Sequence, residues 1–185
     1  MEDLKEENKR LKAELALARQ QAEKGIAMSM LVELFSEELF GALPTYLTNL
    51  LDEGPTSMVL RESMREATKA VLQKDKELKK HVDSTENYAE KFYLCYSLYE
   101  KIGFSCQCDI VEETEERLIV KVTECPHHKY TKNNPVACSA CMGLKLGILE
   151  SLFGIHLPTI KRYASMAMGD QYCMFEIPKL KKEDI

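Results

Sequence analysis

The sequence predicts an α+β fold: helices packed on a four-stranded antiparallel sheet, with an N-terminal coiled-coil helix. Three observations carry this prediction. Apolar residues recur at heptad spacing over residues 1–24. From there to Gly103 they recur at helical spacing. From Phe104 the period drops to two, in two pairs of short runs separated by one apolar helical segment. The chain therefore divides into a dimerisation helix, 1–24, and a globular domain, 25–185.

Leu4, Asn8, Leu11, Leu15, Ala18 and Ala22 follow a 4-3-4-3 spacing. This is the a/d seam of a coiled coil, and an Asn at an a position favours a paired, in-register parallel arrangement. So short a coil is marginal alone, so the globular part must help to hold a homodimer built through this helix. A single amphipathic helix lying on its own domain is the alternative. Met28, Leu31, Val32, Phe35 and Leu39 then form a wide apolar stripe, as on a core-facing helix. Gly41 and Pro44 punctuate it, and Pro44 to Leu51 reads as a further short helix. Asp52-Glu53-Gly54-Pro55 reads as a turn. Thr56 or Ser57 is placed to cap a long helix running toward Lys80, with Met58, Leu60, Met64, Ala67, Val71 and Leu78 on its buried side. The segment Ser84 to Asn87 opens the next helix, in which Tyr88, Phe92, Cys95, Leu98 and Tyr99 share a face and Gly103 supplies the stop.

Phe104, Cys106, Cys108 and Ile110 then alternate with polar residues, and so do Leu118, Val120 and Val122 beyond the acidic turn Glu112 to Glu116. The pair reads as an antiparallel hairpin. Lys129 to Pro135 is polar loop, and Val136 to Phe153 is a helix ended by Gly154. His156 to Met168 is expected to be a strand, Gly169-Asp170 a turn and Tyr172 to Ile177 the last strand.

Composition narrows the function classes. Hydrophobic residues make up 45% and charged residues 30% of the 185, which is ordinary for a globular chain. A net charge of −5, with scattered lysines and arginines, argues against a nucleic-acid face. No apolar run approaches the roughly 20 residues of a membrane span, and the charged N-terminus is unlike a secretory signal. A cytoplasmic protein with neither nucleic acid nor membrane as partner is expected. In that compartment seven cysteines argue for metal or redox chemistry rather than a disulfide framework.

Four of those cysteines carry the functional reading. Cys125 opens the run Cys125-Pro126-His127-His128, Cys138 and Cys141 form a C-x-x-C pair, and Cys173 lies in the last strand. Thiols at i and i+3 project from one side of a helical turn, so both reach one soft metal. Thiolate and imidazole select zinc, copper(I) or iron–sulfur clusters over calcium or magnesium. The metal set is expected to be Cys125, Cys138, Cys141 and Cys173, with His127 or His128 able to replace one sulfur and at least one of these histidines solvent-exposed. Zinc is the expected cofactor, and a four-cysteine iron–sulfur cluster is the alternative. Cys95, Cys106 and Cys108 lie on apolar stripes and read as inert core thiols.

The C-terminal half resembles the 4-vinyl reductase family, also described as hydrocarbon-binding domains. The resemblance lies in the helix Gly143-Leu144-Lys145-Leu146-Gly147-Ile148-Leu149-Glu150-Ser151-Leu152-Phe153-Gly154 and in Gly169-Asp170-Gln171-Tyr172-Cys173-Met174-Phe175-Glu176-Ile177. It spans roughly residues 85–178 and implies a small-molecule binder, with bound zinc. Ser165 stands where that family often has a further cysteine, so a metal site here must recruit Cys125, Cys138 and Cys141. The layout is also similar to that of hydrolases of 2-amino-thiazoline-4-carboxylate, through Glu100-Lys101-Ile102-Gly103-Phe104, Cys125-Pro126 and the Gly-Asp-x-x-Cys-x-Phe end.

Residues 25–185 are thus expected to form a ligand- and metal-binding domain. Its ligand would be a small hydrophobic or tetrapyrrole-like molecule, and the domain would act as a sensor. Phe92, Tyr96, Tyr99, Phe104, Tyr163, Met166 and Met168 are the expected pocket walls, with Tyr88 and Phe153 nearby. One alternative is a thiol-dependent hydrolase of a small sulfur heterocycle, with Cys125 or Cys138 as nucleophile. The other is an iron–sulfur redox or scaffold protein.

Overall fold

A computed structural model describes residues 33–101, 106–156 and 158–179, together with the single positions 14, 15, 19, 21, 24 and 30. For residues 98–101 it describes the backbone alone. The expected heptad seam lies outside the described residues, apart from Leu15, which is exposed. Gly103, the expected helix stop, is also outside them.

The fold is α+β, with six α-helices and one four-stranded antiparallel sheet among the described residues. Residues 33–37 are helical and pass into a π-helical turn, Glu38–Ala42. Helix α1, Leu43–Leu51, follows with Pro44 in its first turn, where a missing N–H leaves no intrahelical bond unmade. The expected turn Asp52 to Pro55 contracts to one residue. Asp52 alone leaves the helical region (φ 67°), and α2 runs Glu53–Leu72 with Pro55 in its first turn. The helix expected to reach Lys80 is instead two. Asp75 ends the first and caps α3, Lys76–Ser84, by accepting a 2.9 Å hydrogen bond from the Leu78 N–H. Helix α4, Tyr88–Lys101, is opened by Asn87, which accepts from the Glu90 N–H at 3.0 Å.

The hairpin forms as expected, with β1 at Gln107–Glu113 and β2 at Arg117–Glu124. The polar loop contains a short helix α5, His128–Thr131, and a 3-10 turn, Pro135–Ala137, that leads into α6, Cys138–Leu152. The expected strand His156 to Met168 shrinks to β3, Lys161–Ala164. The reason is local. The Ser165 N–H donates to the Asp170 carboxylate at 2.7 Å, which turns the chain out of the sheet, and Met166–Met168 close a 3-10 turn. Strand β4, Cys173–Pro178, completes the sheet in the order β1-β2-β4-β3.

The main core lies on one face of this sheet. Leu118, Val120 and Val122 of β2 and Phe175 and Ile177 of β4 meet Leu149, Leu152 and Phe153 from α6, Phe92 and Cys95 from α4, and Leu78 and Val82 from α3. A smaller core joins Phe40, Leu60, Val136 and Ala140. Helices α2 and α6 share the most extensive contact between any two elements. Gly143 and Gly147 permit it: a Cβ at 143 would overlap the Arg61 carbonyl oxygen, and one at 147 would lie 2.6 Å from the Thr68 Cβ. The stretch Pro135–Leu152 is long and apolar enough, by length and composition, to cross a membrane. Here Ala140, Gly143, Gly147, Leu149 and Leu152 within it are buried in the protein.

Candidate functional site

The face of α6 turned away from α2 meets the end of β2 and the start of β4. The element ends explain why cysteines gather there. Cys125 is the first residue after β2, and Cys173 is the first residue of β4, paired in register with Val122. Cys138 begins α6 and Cys141 follows one turn later. All four line one cavity, with Cys106, Tyr96, His127, Thr131, Lys145, Arg162 and Ser165 also in its walls. The enclosed volume is about 40 Å³.

The four cysteines expected as ligands thus line one cavity. Among the described residues, however, no group of three or more His, Cys, Asp or Glu side chains stands ready to hold a metal ion. The thiols share a chamber but are not drawn onto one point. Their electrostatics fit that state. Burial pushes the Cys125 thiol up to about 12, and the neighbouring Cys141 adds to the effect. Burial likewise raises Cys138 to about 11 and Cys106 to about 12. At neutral pH these three are protonated thiols. The Cys173 sulfur accepts a hydrogen bond from the Met166 N–H at 3.3 Å.

The histidines separate. His127, expected as a replacement ligand, lines the cavity with 3% exposure, and its ring stacks on Phe40 at 3.7 Å between centroids. Burial, helped by the charge of Lys145, lowers its pKa to about 3, so it is neutral. His128 is half-buried in α5 and does not line the cavity. The expectation that one of them is solvent-exposed therefore fails: the short helix folds both inward.

The residues expected as pocket walls occupy several different places among the described residues. Tyr96 reaches the thiol cavity, Phe92 is packed into the main core 4.6 Å from the Tyr96 ring, and Met166 packs at the core's edge. Tyr163 is exposed and donates to the Glu176 carboxylate, and Met168 is 67% exposed. Tyr99 and Phe104 lie outside what the structure describes of side chains. Tyr88 and Phe153 pair ring to ring at 4.9 Å inside the core, and the Tyr88 hydroxyl donates to the Pro178 carbonyl.

Two functional candidates escaped the sequence reading. Cys106, assigned there to the inert core, is a cavity wall. Lys145 is 8% exposed, donates from Nζ to the Cys141 sulfur at 2.9 Å and sits 4.7 Å from the Phe175 ring centroid. A signal for it was present: Lys145 follows Cys141 by four residues, hence on the same helical face, and is the first charge in an otherwise apolar run. Ser165, at the position where a further cysteine was noted as missing, is 2% exposed and lines the same cavity.

A family model described as methanogen output domain 1 matches residues 39–178, which takes in the whole sheet, the cavity and the helices around it. No curated protein matches the chain.

Proposed function

Because the chain belongs to the methanogen output domain 1 family, we propose that it is a metal-responsive output domain that holds a soft divalent ion, zinc first, on Cys125, Cys138, Cys141 and Cys173. One observation carries this reading: four thiols from three separate segments of the chain line a single cavity. Buried cysteines are common, but chance burial scatters them through a core. Here they share a chamber bounded by two strand ends and a helix start.

The size of the chamber favours an ion. About 40 Å³ holds an ion or a few waters. Drug-sized ligands occupy roughly 300–1,000 Å³. A tetrapyrrole-like or hydrocarbon occupant would require the walls to part. The family is related to 4-vinyl reductase-like domains, and the finer reading, a small-molecule binder of that type, belongs with such an opened state. The raised thiol pKa values weigh against a cysteine nucleophile, since the hydrolase reading needs a thiolate at neutral pH. Zinc would displace those thiol protons on binding. The "output" of the family's description fits a domain whose loaded and empty states differ in how firmly α6 is tied to the sheet.

Elemental analysis of the purified full chain tests the proposal. Equimolar zinc is expected in the wild-type protein, and its removal by a chelator should lower Tm by more than about 10 °C. Cys138→Ser should lose the zinc and melt like the stripped wild type. A wild-type chain that folds, melts unchanged with added zinc and retains none would overturn the reading. Brown protein containing iron and sulfide would replace zinc with a cluster on the same residues.

A further inference from the structure

We infer that Lys145, with Arg162 lining the same cavity, is the built-in counter-charge of this site and sets its ligand complement at four thiolates, so that the bound species is a dianionic tetrathiolate complex of a divalent ion. This rests on the metal reading above and adds what that reading leaves open, the charge and composition of the complex.

A buried lysine is uncommon and costly unless its charge is used. Lys145 is held in the cavity wall from two sides. One helical turn separates it from Cys141, whose sulfur accepts from its Nζ, and the Phe175 ring of β4 lies under the ammonium. Arg162, on β3, lines the same cavity. No Asp or Glu is among the described residues that line it.

The charges then select the ligands. A divalent ion with four thiolates carries two negative charges. With three thiolates and a neutral imidazole it carries one, and with two of each it carries none. Lys145 places a buried positive charge on the wall and Arg162 an exposed one at its rim, and the four-thiolate complex matches the two together. Around the buried ammonium a mismatch of charge is expensive. Zinc in closed sites is four-coordinate, so Cys106, the fifth sulfur, is surplus on both counts. His127 remains a wall residue, stacked on Phe40. Lys145 also has a directional role: an ammonium that already donates to the Cys141 sulfur would donate to the same atom once it binds metal, orienting that ligand.

Cobalt(II) is the probe, added without oxygen to the full chain. Its visible bands and its sulfur-to-metal absorption report how many thiolates surround the ion. The wild type is expected to show four. Lys145→Met should weaken cobalt binding about 10–100-fold and shift the spectrum toward fewer sulfurs. Lys145→Arg should restore most of both. Arg162→Glu, at an exposed position that folding tolerates, should weaken binding with the melting curve of the metal-free chain unchanged. Two results would overturn the inference while leaving the metal reading in place. One is wild-type affinity and spectrum in both Lys145→Met and Arg162→Glu. The other is a wild-type spectrum of three sulfurs and one nitrogen. A wild-type chain that takes up neither cobalt nor zinc overturns the metal reading itself.

Discussion

Helix α6 has two faces, and they are built to opposite specifications. Toward α2 it is sealed: Gly143 and Gly147 let the backbones approach until no Cβ would fit, and Glu150 is clamped by Arg65 and Lys69. Toward the sheet it is open enough to leave a chamber, lined with thiols, an ammonium and a serine. Close packing keeps a helix in one position, whereas soft and polar side chains around a void can rearrange. The contrast shows how a small domain holds an adaptable site on a rigid platform.

The contrast can be broken first from the sealed side. Gly143→Ala should cost about 3 kcal/mol or more, because the group in the way is the Arg61 backbone carbonyl rather than a flexible side chain. Urea unfolding of the stripped protein measures this, and a loss below about 1 kcal/mol would mean that α2 and α6 slide freely. Glu150→Gln should cost less, roughly 1–3 kcal/mol, by removing the charge that two cations share. The loss should be insensitive to salt, since the Glu150 side chain is 10% exposed.

The smallest effect at neutral pH should separate core thiol from cavity thiols. Cys95 is 2% exposed, and burial pushes its thiol up to about 12. Its folded pKa is raised above the unfolded one, so its contribution to stability is complete below about pH 9 and is lost as pH rises toward 12. The zinc-free chain should therefore lose stability across that alkaline window, and Cys95→Ala should lose less of it. A variant whose alkaline loss equals that of the wild type would place the effect in the cavity instead.

Much of the fold was legible because periodicity reports burial. The change from helical to alternating spacing marked the hairpin, and Asn87 and Gly169-Asp170 marked their boundaries. The errors came where a single side chain redirected the backbone. Asp75 capped a helix in the middle of an apolar stripe, and Asp170 pulled Ser165 out of an expected strand. For the site, the C-x-x-C pair and the Cys-Pro run were legible by their spacing as candidates, and both line the cavity. Cys106 was not, because a thiol in an alternating apolar pattern reads the same whether it faces a core or a cavity.

By itself the sequence determined the fold class, the sheet's four strands and four of the five cysteines that line the cavity, since these follow from local spacing and side-chain chemistry. Only the tertiary structure decided that strand ends and a helix start enclose those sulfurs together, that Lys145 stands among them, and that the chamber is ion-sized. Those facts depend on how far α6 sits from the sheet. The two glycines decide the other contact of the helix, its close approach to α2.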